Sequence, residues 1–292
     1  MNQSGEKKTK EKFILLYDPS KWSSLKRFGI FVKGEYSITS QTRSLLRSIE
    51  LRFDKIQLLW THFNKIKNVQ PKEYETLNIE GYVNPVCSKL MAAIFEAVLN
   101  EFYSINDNVV KILGNIYPQR NLPKTMSKLI SGIGKSKYEL PEPIANTILN
   151  HKSYQRLRNI RTETSHFSSG SIVCGKTISY MSEKSGPTIT FNHNALLIED
   201  VERYFIDQYR ETILFVNNIF DYLESTLRNN QRVRQICGVY KKLLYQRLEG
   251  YMDWKTQRQG ICKPIWEENR AADECPLAKN CKAYNNYLLH KV

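Results

Sequence analysis

The chain has 292 residues, 41% of them hydrophobic and 11% aromatic, and carries a formal charge of +14. That composition excludes a disordered chain and allows one large domain or two modest ones with a sizeable core. No stretch approaches the ~20 apolar residues of a membrane span, and the excess of 43 Lys+Arg over 29 Asp+Glu suits a polyanionic partner such as nucleic acid.

The first residues, MNQSGEKKTKEKF, are polar and basic and lack the apolar core of a signal peptide. We therefore expect a soluble, cytoplasmic protein. Its six cysteines, Cys87, Cys174, Cys237, Cys262, Cys275 and Cys281, are then thiols or metal ligands rather than disulfides. Residues 13–17 (FILLY) form a short apolar run ended by Asp18-Pro19-Ser20, and residues 27–38 alternate around Gly29 and Gly34 as a β-hairpin would.

Residues 40–69 carry Leu45, Leu46, Ile49, Phe53, Ile56, Leu59, Trp60, Phe63 and Ile66 at three-and-four spacing, which predicts one amphipathic helix. Asn84-Pro85 is a helix start, and the stripe Leu90, Ile94, Val98, Phe102, Ile105, Val109, Ile112 extends it to about Ile116, with room for a kink near 106–108. A short basic helix is expected over 123–133, and one longer helix over 144–167. Residues 171–181 and 187–191 are rich in Ile, Val, Thr and Tyr around Ser185-Gly186-Pro187, a β-hairpin pattern. Long helices are expected over 195–228 and 232–254. From about 260 the chain becomes polar and cysteine-bearing.

The fold class expected is mainly α: an antiparallel helical bundle with a small β-hairpin insertion and a short N-terminal β-containing segment. Its divisions are a basic tail and β appendage over 1–39, the bundle over 40–230, and a basic helix with a cysteine-bearing tail over 231–292.

One stretch concentrates chemistry. In RNIRTETSHF, residues 158–167, Arg158, Thr162 and His166 fall four apart on one helix face, with Arg161 at its edge. Arg holds phosphate bidentately and His exchanges a proton near neutral pH. The same spacing also fits an ordinary solvated surface.

Arg161-Thr-Glu-Thr-Ser-His166, an Arg followed by four residues and a His at a helix end within a helical bundle, resembles the signature of the HEPN family (higher eukaryotes and prokaryotes nucleotide-binding domains). The resemblance covers about residues 40–230. It implies a HEPN-like bundle and a metal-independent endoribonuclease acting by 2′-hydroxyl transesterification as a homodimer. His166 would be the general acid or base and Arg161 would stabilise phosphorane charge, with Arg158, Thr162 and Glu163 as auxiliaries. The family residue after the Arg is usually Asn, Asp or His, and here it is Thr162. Family roles include toxins with a neutralising antitoxin protein and phage-defence effectors. The alternative is a non-catalytic helical module binding nucleotide, RNA or protein.

Two further regions stand out. Residues 228–263 hold nine Lys/Arg against Glu249 and Asp253, with interleaved tyrosines. Arg232, Arg234, Lys241, Lys242, Arg247 and Tyr245 are thus candidates for RNA binding, by phosphate contact and base stacking. Cys262, Cys275, Cys281 and His290 could form a structural Cys₃His zinc site, although their spacing lacks a paired Cys-x-x-Cys knuckle and also fits unliganded thiols. No cofactor is expected for catalysis. Cys87, Cys174 and Cys237 read as small core residues.

Overall fold

The structure, a computed structural model, describes residues 14–15, 23–32, 36, 38–72, 75, 86–166, 171–173, 177–179, 182–184, 188–190, 197–198, 200–228, 232–240, 243–255, 260–263 and 275–290. Side chains are described for all of these except 14–15, 163–166, 171–197, 240, 243, 254, 263 and 290. The protein is mainly helical and divides into two compact units. One is residues 38–222; the other joins residues 1–37 to residues 223–292.

The larger unit is built on long helices. Helix α2 (Ser40–Lys67) follows the short α1 of the other unit (Ser24–Phe31), and α3 spans Val86–Ile116. Thr39 caps α2, its hydroxyl accepting the Thr42 N–H at 3.1 Å. Much of the expected stripe is buried: Leu46, Ile49, Ile56 and Phe63 on α2, and Val98, Phe102, Ile105, Val109 and Ile112 on α3, whereas Leu90 near the start of α3 is exposed. Each such buried side chain contributes roughly 1.5–3 kcal/mol by leaving water. Helix α3 runs unbroken through 106–108.

Cross-helix contacts fix the helix directions. Asn115 Nδ2 donates to Thr42 Oγ1 at 2.9 Å, Asn108 Nδ2 to Ser48 Oγ at 3.2 Å, and Arg52 and Lys55 both pair with Glu101. Rising numbers on α2 meet falling numbers on α3, so the two are antiparallel.

Helices α4 (Met126–Gly134) and α5 (Glu142–Leu149) lead to α6 (Lys152–His166). The sequence pattern suggested one helix over 144–167. The structure breaks it at Asn150-His151, where the His151 ring turns inward and its carbonyl accepts the Tyr154 N–H at 3.2 Å to start α6. Helix α7 spans Val201–Ser225, beginning later than expected because strand β6 (Leu197–Ile198) precedes it. Trp60 of α2 is stacked between Phe63 (4.5 Å) and Phe205 of α7 (3.8 Å), and Lys67 pairs with Glu202 at 2.6 Å.

The two runs expected to pair after α6 do so at their ends, but the run 171–181 is split and its second half pairs with 182–184. The expected turn at 185–187 lies outside the described residues. Strand β2 (Ser171–Val173) pairs with β5 (Thr188–Thr190), β5 also pairs with β6, and an inner ribbon joins β3 (Thr177–Ser179) to β4 (Ser182–Lys184).

The second unit corrects two expectations. Residues 24–31 are helix α1, not part of a hairpin. Ser23 accepts the Lys26 N–H at 3.2 Å as N-cap, and Leu25, Phe28, Phe31 and Val32 are buried at helical spacing. The helix expected over 232–254 is instead a hairpin of β7 (Val233–Tyr240) and β8 (Leu243–Glu249), then short α8 (Tyr251–Lys255). Tyr245, Arg247 and Glu249 are buried at a period of two, the strand period. Apolar residues at 233, 236, 239–240 and 243–244 fit both periods, but Gly238 in mid-element and the run of Val, Ile and Tyr favour strand. Strand β1 (Ile14–Leu15) and β9 (Ile261–Lys263) complete an antiparallel sheet in the order β1-β7-β8-β9. The C-terminal helix α9 spans Lys282–His290.

Candidate functional site

Helix α6 carries the motif. Its Ser153, Tyr154, Leu157 and Ile160 are buried, which leaves Gln155, Arg156, Arg158, Asn159 and Thr162 exposed. That division follows from apolar residues three and four apart on a helix otherwise rich in polar groups.

Arg158 and Arg161 then serve different surroundings. Arg161 leans on α3. Its Nε donates to Asn100 Oδ1 at 3.2 Å, and its guanidinium lies 4.3 Å from the Tyr103 ring centroid, a cation–π contact. Asp107, whose carboxyl is pushed up chiefly by burial, feels the Arg161 charge in the opposite direction. Arg158 instead lines an open cleft of about 540 Å³.

Lys128, Lys135 and Lys137 join Arg158 in that cleft, with Ser127, Ser131, Tyr138 and Gln155 as further polar groups. Four cations and, among the described residues, no carboxylate line it. The α4 end shapes one wall. Ser136 takes a left-handed backbone (φ 53°), and Lys137 N–H returns to the Gly132 carbonyl at 2.9 Å. Tyr138 packs directly on Gly132, where a methyl group would collide with its ring. Tyr154 forms the floor, and burial pushes its hydroxyl pKa up, so it is a neutral phenol there.

The Thr162 hydroxyl donates to the Arg158 carbonyl at 3.0 Å, so it is engaged by its own helix backbone. His166 ends α6, but its side chain and that of Glu163 lie outside the described residues. The structure thus brings Arg158 to a basic cleft and ties Arg161 and Thr162 to neighbouring structure.

The second proposed surface comes apart. Arg232 pairs with Asp253 at 3.1 Å, Arg247 and Tyr245 are buried, and Arg234 is exposed. Lys241 and Lys242 lie outside the described residues. A continuous basic helix face does not exist here, because the segment is a hairpin whose faces alternate.

The cysteines are gathered more closely than the sequence suggested. Cys237, Cys262, Cys275 and Cys281 line one small cavity, with Tyr245, Arg247 and Tyr284. Cys237, expected as an ordinary core residue, belongs to this group. Burial pushes the Cys262 thiol up to about 12, with repulsion from the other three sulfurs adding to it and Arg247 opposing it. Among the described residues, no three His, Cys, Asp or Glu side chains already stand in ligating geometry. The His290 side chain and Cys174 lie outside the described residues.

Sequence reasoning also passed over His151. It is buried, stacked on Phe215 at 4.1 Å, and its Nε2 is 2.7 Å from Asn106 Oδ1. Asn106 Nδ2 donates to the Phe102 carbonyl at 2.8 Å, so its Oδ1 is the acceptor and His151 carries the proton on Nε2. Its only local signal is a polar Asn-His pair interrupting an apolar stripe.

Comparison with family models, curated proteins and solved structures finds no match for this chain.

Proposed function

We propose that this protein binds RNA through the cleft beside α6 and cleaves it by HEPN-type chemistry. The observation that carries the reading is the convergence of Lys128, Lys135, Lys137 and Arg158 on one cleft with no carboxylate among its described lining residues, beside the helix that also bears the Arg-x₄-His spacing. Four cations at close quarters repel one another, so an anionic occupant relieves them, and the neighbouring hydroxyls supply donors for phosphate oxygens. Arg158 binds phosphate in the cleft. His166 moves the proton, as base toward the 2′-hydroxyl or as acid toward the leaving 5′-oxygen. Arg161 is a positioning residue, fixed by Asn100 and Tyr103. The active species is a homodimer in which two such motifs share the site.

A second reading, RNA binding without cleavage, is favoured by one observation: Arg161 and Thr162 are both engaged by surrounding structure. One experiment separates the two. Purified chain is incubated with total RNA in the presence of EDTA, and the cleavage ends are mapped. We expect 2′,3′-cyclic phosphate ends from wild type and none from His166→Ala, which still binds RNA. Arg158→Ala should weaken binding evenly across sequences and lower the salt slope by about 1. Cleavage by His166→Ala at the wild-type rate would end the catalytic assignment. Binding without any cleavage by wild type would select the second reading.

A further inference from the structure

We propose that Cys237, Cys262, Cys275 and Cys281 form a tetrathiolate site for a single zinc ion. The four sulfurs come from separate pieces of the smaller unit. Cys237 sits at the β-bulge of β7, where the register with β8 shifts between Ile236 and Gly238. A bulge re-aims the side chain it carries, and here it brings Cys237 to the cavity rather than to the regular alternation of the strand. Cys262 lies on β9, opposite Arg247 of β8. Cys275 and Cys281 bracket a tight turn: Ala278 N–H donates to the Cys275 carbonyl at 3.0 Å, and Cys281 N–H to the Ala278 carbonyl at 3.3 Å.

Several features fit a metal centre better than a cluster of idle thiols. The cavity holds about 20 Å³, room for one water-sized occupant, which matches a single ion. The tight turn after Cys275 keeps the Leu277 and Ala278 backbone amides beside its sulfur, an arrangement that steadies a metal-bound thiolate. Arg247 donates from its side chain to the Cys237 sulfur. Its positive charge offsets part of the net negative charge that four thiolates leave on a divalent ion. The four sulfurs line one cavity without standing in ligating geometry, so binding draws them inward to Zn–S distances of about 2.3 Å.

The fourth ligand is therefore Cys237, and His290 is not part of the set. Helix α9 begins at Lys282, and its rise carries His290 roughly 12 Å further along the axis. Cys281, by contrast, starts that helix, its carbonyl accepting the Tyr284 and Asn285 N–H groups at 3.0 and 3.1 Å. A metal here ties β7, β9 and the C-terminal helix together. Asn286 Nδ2 already donates to the Gly260 carbonyl at 2.8 Å, beside β9.

The test uses the full chain, expressed with added zinc and purified without chelator. Elemental analysis should find one zinc per chain. Cobalt(II) in place of zinc should give intense sulfur-to-cobalt charge transfer and the d–d bands of a tetrahedral four-sulfur site. Cys237→Ser should lose the metal, while His290→Ala and Cys87→Ser keep it. The cobalt spectrum of wild type reports the ligand set even where Cys237→Ser folds poorly. The assignment is overturned by a wild-type chain without bound metal, by disulfides among these cysteines, or by iron with inorganic sulfide. It is equally overturned by a cobalt spectrum of three sulfurs and one nitrogen that His290→Ala abolishes.

Discussion

At the scale of single residues, His151 shows how a buried polar group escapes a periodicity reading. Its neighbours in sequence, Asn150 and Lys152, are polar and exposed, yet its ring lies on Phe215 and bonds Asn106. Nothing local announces a partner that is 45 residues away. Burial lowers its pKa from 6.5 to about 4. The folded state therefore binds the proton less readily than the unfolded chain, and stability present above pH 6.5 is lost as pH falls from 6.5 toward 4. The term is on the order of 3 kcal/mol. We expect urea midpoints to fall across that window more steeply for wild type than for His151→Phe, and parallel curves would show that the ring is not held neutral by the fold. The arginines teach a related lesson. Their shared helix predicts a shared face, but Arg158 lines the cleft and Arg161 lies against Tyr103. A one-turn pattern does not state which neighbouring helix each long side chain reaches.

At the scale of elements, α2 and α3 were legible because long stripes at three-and-four spacing admit only one interpretation. The segment 233–249 was not, since its apolar positions satisfy both periods and its buried Arg247 and Glu249 look solvent-facing in sequence. Gly238 was the signal that could have decided it. Gly260 plays a different part. It enters β9 at φ +63°, and a Cβ there would run into the Leu248 carbonyl. Gly260→Ala should therefore cost about 1–3 kcal/mol through backbone strain, read as a lower melting temperature of the full chain. An unchanged melting temperature would mean that β9 relaxes freely. Within the same unit, Arg27 meets Glu224 through Nε–Oε1 at 2.9 Å and Nη2–Oε2 at 3.0 Å, a half-buried bidentate pair. That pair joins α1 to the last turn of α7 across most of the chain length.

At the scale of the molecule, the charge of +14 is a statement about partners rather than fold. If RNA binding neutralises about six phosphates, affinity should fall roughly 10³-fold between 50 and 200 mM salt. A flat salt dependence would remove the electrostatic basis of the proposal. The helical unit over 38–222 could be anticipated from its stripes, but the union of residues 1–37 with 223–292 could not. Pairing of Ile14 with Val239 leaves no periodic trace in either segment. That union also sets an order of events during synthesis. Phe28 and Phe31 leave the ribosome nearly two hundred residues before Glu224 and the strands that complete their unit. At ordinary elongation rates the wait is roughly 10–40 s. The larger unit emerges whole in that interval and can fold first. Phe31 of α1, which packs on Tyr251, meanwhile waits for its partner, so this early segment is one that a chaperone would cover.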